Sequence, residues 1–64
     1  DMRVSLNKIN YELLISIKGV GSKLASQILE YKESNGDFEE ICQLKNVDGI
    51  GLKKFDELSL RFKV

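Results

Sequence analysis

The sequence contains the same glycine-based turn twice, thirty residues apart. Gly19 and Gly21 are separated by one apolar residue, and Gly49 and Gly51 repeat that pattern. Further matches lie before, between and after the glycines: Leu14 with Leu44, Ile17 with Val47, Val20 with Ile50, Lys23 with Lys53, and Ile28 with Leu58. A fixed period of this kind indicates a repeated supersecondary unit. We therefore predict two copies of a helix, a short hairpin and a second helix.

Each hairpin is expected to open directly into the N-terminus of a helix. Gly19 and Gly21 predict a tight turn that needs positive φ or a close backbone approach, so a valine at Gly21 should damage it. Ser22 is predicted to cap the helix that follows. The first N–H groups of a helix lack internal partners, and together with the helix dipole they can bind a phosphate. A single turn of this type is more often a plain connection between helices, but the repetition favours a binding role.

The composition restricts what such a chain can do. At 64 residues it is expected to form one domain, and its one cysteine cannot form an internal disulfide. Histidine is absent and zinc-ligand spacing is missing, so we predict no metal and no cofactor. A chain this short lacks material for a catalytic pocket, which argues against an enzyme. No apolar run approaches the roughly 18 residues needed to cross a bilayer, so no membrane contact is expected from this fragment.

Ten basic and ten acidic residues cancel overall, yet the charges are segregated along the chain. Lysines flank both hairpins, whereas residues 30–40 between the repeats are mainly acidic. Such local fields can steer an anionic partner towards a chain without net charge. Asp48 occupies the place in the second repeat that Lys18 holds in the first. We therefore expect the first hairpin to be the stronger anion binder.

The apolar pattern predicts an all-α unit of four to five short helices, packed about a pseudo-twofold axis. Asn10 should cap a helix to about Ile17, and a longer helix should run from Ser22 to about Lys32. Asn35 or Gly36 is the expected left-handed residue at its end. The predicted core includes Val4, Leu6, Ile9, Tyr11, Leu14, Ile15, Leu24, Ala25, Ile28, Leu29, Tyr31, Phe38, Ile41, Cys42, Leu44, Phe55, Leu58 and Phe62.

With both copies set out, the chain resembles a tandem helix-hairpin-helix domain of the ComEA type, the DNA-receptor family of bacterial natural transformation. The resemblance is carried by Leu6-Asn7-Lys8-Ile9-Asn10, by residues 14–21, by Ala25 and Ile28, by Tyr31-Lys32-Glu33-Ser34-Asn35-Gly36-Asp37-Phe38, by Leu44 and by Val47-Asp48-Gly49-Ile50-Gly51. It places a lead-in at 1–9 and one domain at 10–64, with the first unit at about 11–33 and the second at about 38–62. Glu40 stands where such domains often have a capping serine, so a ragged start is expected for the third helix.

The resemblance implies sequence-independent binding of double-stranded DNA, in which the hairpins meet the two phosphate backbones across the minor groove. Carried over by position, the DNA-binding residues would be Lys18, Gly19, Val20, Gly21, Ser22, Lys23, Gly49, Ile50, Gly51, Leu52, Lys53 and Lys54. It also implies an extracytoplasmic or periplasmic location with a membrane anchor elsewhere in a longer protein. A domain from a repair protein would instead be cytoplasmic.

Two other functions remain open from the sequence. The domain could serve protein–protein interaction within a DNA-uptake or DNA-repair machinery, with the glycines kept only for the turns. It could also be a DNA-holding appendage of a larger repair or processing enzyme. Asp37 lies at a suggestive distance after the first hairpin for a glycosylase-type carboxylate, but beside Asn35 and Gly36 it is better interpreted as a solvated turn residue.

Overall fold

Three α-helices and two 3₁₀ helices form most of the molecule in the computed structural model, which describes residues 2–64. The elements in chain order are β1 (Val4–Ser5), a first 3₁₀ helix (Leu6–Lys8), α1 (Tyr11–Ile15), α2 (Ser22–Asn35), a second 3₁₀ helix (Ile41–Asn46), α3 (Leu52–Ser59) and β2 (Phe62–Lys63). The predicted helical architecture is confirmed. The two strands were not anticipated, because each is only two residues long and shows no alternation that a sequence pattern could reveal.

The N-terminal segment is bound to the C-terminal strand and to the connection between the repeats, rather than lying along the domain as a purely extended lead-in. β1 pairs in parallel with β2, with Val4 opposite Phe62. The Asn7 side chain then clamps the backbone of Phe38, since its Nδ2 donates to the Phe38 carbonyl at 3.0 Å and its Oδ1 accepts from the Phe38 N–H at 2.7 Å. Leu6 between these anchors is fully buried. The segment therefore joins the C-terminus to the connection between the repeats.

Helix α1 is capped as predicted but is shorter than its apolar pattern suggested. The Asn10 side chain accepts from the Leu13 N–H at 2.8 Å. The helix ends at Ile15, where the Ser16 hydroxyl donates to the Leu13 carbonyl. A helix of this length makes little more than one turn, so only Leu14 among its residues is fully enclosed. The predicted burial of Tyr11 and Ile15 is wrong, because these side chains are 41% and 43% exposed.

Helix α2 contributes the centre of the core and continues one turn beyond its predicted end. It spans Ser22–Asn35, and Ala25 and Ile28 are completely buried. Gly36 terminates it with φ of +83° and donates its N–H to the Lys32 carbonyl, which confirms the glycine of the predicted pair as the left-handed residue. The next residue, Asp37, lies in the solvent and pairs with Lys32 at 3.2 Å.

The predicted third helix is a 3₁₀ segment, and this changes which side chains face inward. Residues three apart lie on the same face of a 3₁₀ helix, so Ile41 and Leu44 pack together against the core. The predicted burial of Cys42 is wrong, since Cys42 lies on another face of the segment and its side chain is exposed. The start of the segment is not ragged, because the Gln43 side chain accepts from the Glu40 N–H at 2.9 Å and from the Glu39 N–H.

Both repeats contribute to one core in which the apolar residue of each hairpin takes part. The buried side chains come from every helix, from both hairpins, from the connection between the repeats and from β2: Leu6, Leu14, Val20, Ala25, Ile28, Phe38, Leu44, Val47, Ile50, Leu58 and Phe62. Tyr31 and Phe55 pack against this cluster from its edge, and the Tyr31 ring stacks on Phe38 with the ring centroids 5.4 Å apart. This shared core holds the two hairpins in fixed relative positions.

Candidate nucleic-acid interface

The two hairpins have the same backbone geometry. Gly19 and Gly49 both have φ of +95°, a conformation that L side chains rarely adopt. The residue after each glycine closes the turn: the Val20 N–H donates to the Ile17 carbonyl at 3.0 Å, and the Ile50 N–H donates to the Val47 carbonyl at 3.1 Å. The sequence repeat is therefore a structural repeat down to individual hydrogen bonds.

The second glycine of each hairpin has a different role from the first. Gly21 and Gly51 have extended backbones, with φ of −91° and −89°, and each is the N-cap of the following helix. A Cβ atom built on either glycine would meet nothing within 4 Å. The turn itself thus does not need positive φ or a close backbone approach at Gly21, and the effect of a valine there stays a prediction. Ser22 is the first residue of α2 and does not cap it.

Glycine at the N-cap leaves both helix N-termini without a side-chain cap. The first intrahelical bonds are those from the Ala25 N–H to the Gly21 carbonyl and from the Phe55 N–H to the Gly51 carbonyl, both at 2.9 Å. The N–H groups that precede these bonds have no partner inside the helix. By contrast, α1 is capped by the Asn10 side chain. Each hairpin therefore presents backbone donors at the positive end of a helix dipole.

The hairpins pack against each other's helices in a reciprocal manner. A Cβ at Gly19 would lie 3.9 Å from both Lys54 and Glu57 of α3, and a Cβ at Gly49 would lie 3.4 Å from Leu24 and 2.7 Å from Gln27 of α2. Leu24 and Gln27 precede Lys54 and Glu57 by thirty residues, which is the period of the repeat. This exchange of equivalent contacts is what a pseudo-twofold axis requires. The thirty-residue offset shows from the sequence that the two contacts are equivalent, but not that each hairpin meets the helix of the other repeat.

A groove between the hairpins brings five of the proposed site residues together. It has a volume of about 360 Å³ and is lined by Gly19, Gly21, Lys23, Leu24, Gln27, Gly49 and Lys54. Lys23 stands at the start of α2 and Lys53 at the start of α3, and both side chains are exposed. The start of α2, with Lys23, thus shares this groove with the turns at Gly19 and Gly49, whereas Gly51 and Lys53 are not among its lining residues.

Four of the predicted site residues are placed differently from what direct anion contact would need. Val20 and Ile50 are buried, and their N–H groups are already used inside the hairpins. The Leu52 side chain is 73% exposed. Because that side chain is apolar, Leu52 can contact an anion only through its backbone N–H. The Lys54 ammonium donates to the Gly19 carbonyl at 3.2 Å and lies 3.5 Å from the Glu57 carboxylate. Lys54 therefore bridges the two repeats, and its charge is partly neutralised.

Across residues 2–64, no group of three or more His, Cys, Asp or Glu side chains is arranged to hold a metal ion. Within the same residues, none of the helices has both the length and the hydrophobicity to cross a bilayer. The hairpins themselves offer hydrogen bonding by backbone N–H groups and attraction by exposed lysine side chains.

Comparison with known proteins agrees with this geometry. The family model described as the helix-hairpin-helix motif matches residues 1–63. The chain belongs to the helix-hairpin-helix family. This helix-hairpin-helix domain is 40% identical over 55 residues to ComE operon protein 1 of Bacillus subtilis, a match that covers 86% of the chain and 27% of that protein. The resemblance to the ComEA type is thereby confirmed.

Other relatives of the helix-hairpin-helix domain are much larger proteins. It is 35% identical over 51 residues to the kinesin-like protein KIF22 of Danio rerio, covering 80% of the chain and 8% of the relative. It is 31% identical over 62 residues to endonuclease/exonuclease/phosphatase family domain-containing protein 1 of Xenopus laevis, covering 97% of the chain and 11% of the relative. The chain thus spans about a quarter or less of the length of these curated relatives.

Proposed function

We propose that this helix-hairpin-helix domain binds double-stranded DNA without sequence preference. The observation that carries the proposal is the pair of glycine-capped helix N-termini, which have matching backbone geometry and no side-chain cap. Their N–H groups would donate to phosphate oxygens, one hairpin on each strand. Contacts of this kind fix the position of a protein on the duplex and carry no base information.

The symmetry of the domain suits a duplex. The two phosphate backbones of DNA run antiparallel and are related by twofold axes, and the two hairpins exchange equivalent contacts as a pseudo-twofold pair does. Hairpins held by a common core can therefore meet the two strands across the minor groove in equivalent ways. The similarity to ComE operon protein 1 supports the same assignment.

Within this proposal the site residues divide into contacts and supports. The contacts are the amides that follow Gly21 and Gly51, with the exposed side chains of Lys18, Lys23 and Lys53. Val20 and Ile50 anchor the hairpins in the core, and Gly19 and Gly49 form the turns. Lys54 supports the first hairpin, since its ammonium donates to the Gly19 carbonyl. No residue in this assignment performs covalent chemistry, so the domain acts as a binding module.

A second candidate is a DNA-holding or protein-binding appendage within a larger protein. The observation that favours it is the small share of the relatives that the domain covers, 8% of a kinesin-like protein and 11% of an endonuclease/exonuclease/phosphatase family protein. A DNA-holding appendage would bind DNA as the first candidate does, so DNA binding by the isolated domain distinguishes only the protein-binding appendage. An appendage that serves only protein contacts would fold normally and leave DNA free.

The deciding experiment is fluorescence anisotropy of a labelled random-sequence duplex, titrated with the domain at several salt concentrations. For two to four phosphate contacts, log K should fall against log salt with a slope of about −2 to −4. The affinity at physiological salt should lie in the non-specific range, roughly 10⁻⁴ to 10⁻⁶ M. A second duplex of unrelated sequence should give the same values.

A matched variant separates hairpin binding from general charge attraction. Lys8→Glu changes an exposed lysine in the N-terminal segment, outside both hairpins, and should leave the binding nearly unchanged. A folded domain that shows no binding even at low salt would contradict the proposal. The hairpins would then be turns alone, and protein partners would become the leading candidates.

A further inference from the structure

The surface beside the first hairpin carries basic side chains that lie outside the hairpin itself. Lys18 and Arg61 line a depression of about 330 Å³ with Gly19 and Glu57. The same two cations line an adjoining depression of about 360 Å³, where Arg3 also contributes. The Glu57 carboxylate is paired with Lys54. Lys18 and Arg61 thus form a basic surface that is continuous with the turn at Gly19, and we refer to these two residues as the flanking surface.

The backbone of Arg61 is fixed, although the residue is exposed. Its N–H donates to the Leu58 carbonyl at 2.8 Å, and its carbonyl accepts from the Val4 N–H at 2.8 Å. The next residue, Phe62, is completely buried. The pairing of β1 with β2 therefore holds Arg61 in place beside Lys18. This gives the N-terminal segment a role at the binding surface, which the sequence pattern alone did not indicate.

The equivalent position beside the second hairpin has the opposite character. Thirty residues separate Lys18 from Asp48, and the same offset relates Tyr31 to Arg61 and Gln27 to Glu57. The depression there is lined by Gln27, Glu30, Tyr31, Ser34, Asn35, Asn46 and Asp48. Two carboxylates and no cation occur among these lining residues, all of which belong to the described part of the chain. A phosphate would be attracted beside the first hairpin and repelled beside the second.

We infer that duplex DNA continues past the first hairpin onto the flanking surface, where Lys18 and Arg61 hold a further phosphate of the same strand. The inference rests on the proposed function and adds to it a difference between the two hairpins in the number of phosphates bound. A guanidinium matches the geometry of a phosphate and forms two parallel hydrogen bonds with it. The strand at the second hairpin lacks this additional contact. The domain therefore binds the duplex asymmetrically in spite of its pseudo-twofold backbone.

The test measures how many phosphates the domain neutralises. The salt dependence of binding to a random-sequence duplex is compared for the native domain, Arg61→Gln and Arg61→Lys. Because the slope changes by about 0.9 for each phosphate contact, Arg61→Gln should give a slope shallower by about 0.9. Arg61→Lys should keep the native slope with a weaker affinity, since lysine retains the charge but not the bidentate geometry. Lys8→Gln, which removes an exposed charge elsewhere, should match the native domain.

Thermal melting of each variant separates binding from folding, and all four proteins should melt at similar temperatures because the Arg61 side chain is exposed. A native domain that binds while Arg61→Gln retains the full slope would overturn this inference and leave the proposed function intact. A shallower slope in Lys8→Gln of the same size would also overturn it, since the effect would then be general charge loss. Failure of the native domain to bind would overturn the proposed function and this extension together.

Discussion

The first and second hairpins have the same backbone conformation and differ in the charged side chains that flank it. Both have a glycine at φ of +95° and a glycine N-cap, and both bury one aliphatic side chain. Around the first lie Lys18, Arg61 and the bridging Lys54, whereas Asp48 and Gln27 lie around the second. Turn geometry depends on a few residues that cannot change without strain, but exposed neighbours can change freely. A duplicated fold therefore need not be a duplicated binding site.

The largest expected effect concerns the glycines that form the turns. Gly19→Ala and Gly49→Ala each force an L residue into the left-handed region, which costs about 1–2 kcal/mol of folding free energy. Gly49→Ala should cost slightly more, because its new Cβ would lie 2.7 Å from the Gln27 Oε1 and 3.4 Å from Leu24, while nothing approaches within 3.9 Å at Gly19. Since each kcal/mol lowers the melting temperature of a domain this size by roughly 4–8 °C, calorimetry can measure both changes.

Gly21→Asn is the control for these two variants. Its backbone has φ of −91°, and an asparagine can cap α2 there, so the melting temperature should rise rather than fall. Alanine variants at Gly19 and Gly49 that melt like the native domain would show that the positive φ is not needed. A larger loss at Gly19 than at Gly49 would show that Gln27 and Leu24 yield to the added methyl group.

The second prediction tests whether the uncapped amides bind DNA. Gly21→Asn should place a side-chain oxygen on the first amides of α2, in the way Asn10 caps α1. The oxygen would compete with phosphate for the same donors. We expect DNA affinity to fall about fivefold while stability increases by a few tenths of a kcal/mol. Anisotropy and thermal melting on the same sample measure the two opposite changes.

Gly51→Asn makes the same change at the second hairpin and should weaken binding less, because Asp48 already disfavours a phosphate there. Gly21→Ala adds a side chain without a capping oxygen and serves as the steric control. If Gly21→Asn stabilises the domain and binding is unchanged, the amides of α2 are not phosphate contacts.

Sequence reasoning predicted the repeated unit because its determinants are local. Gly19, Gly49 and the apolar residues at matching positions dictate the same turn wherever they occur, so their period could be identified without a structure. The roles of the two glycines in each hairpin could not be separated in this way. The sequence pattern does not distinguish positive φ at Gly19 from the extended N-cap at Gly21, since glycine tolerates both.

The rest of the site depends on contacts between distant segments. Arg61 lies beside Lys18 because the Val4 N–H donates to the Arg61 carbonyl. Lys54 donates to the Gly19 carbonyl because α3 packs against the first hairpin. Neither relation appears in a local pattern. A helical period of 3.6 predicts Ile15 in the core, and the usual burial of a lone cysteine on an amphipathic helix predicts the same for Cys42. A one-turn helix and a 3₁₀ segment present other faces.

The third prediction compares the two hairpin lysines. Lys23→Glu should weaken binding to duplex DNA about tenfold, the cost of losing one charge-assisted contact, and Lys53→Glu should weaken it less. The difference follows from Asp48, which already compromises the second hairpin. Anisotropy at one low salt concentration compares the two variants directly.

Asp48→Lys is the variant that makes the second hairpin resemble the first. It should increase the affinity by about threefold, in the range of an exposed charge interaction. In its presence the losses caused by Lys23→Glu and Lys53→Glu should become similar. Equal losses in the native background would contradict the asymmetry between the hairpins.

The smallest expected effect distinguishes a supporting lysine from a contacting one. Lys54 lies where Leu24 lies in the other repeat, so Lys54→Leu gives both hairpins the same apolar neighbour. Loss of the bond to the Gly19 carbonyl and of the pair with Glu57 should cost less than about 1 kcal/mol, because both are partly exposed. The salt slope of DNA binding should stay as in the native domain, since the ammonium is directed to Gly19 and not to a phosphate. A slope shallower by about 0.9 would instead make Lys54 a phosphate contact, and the first hairpin would then draw a binding residue from the second repeat.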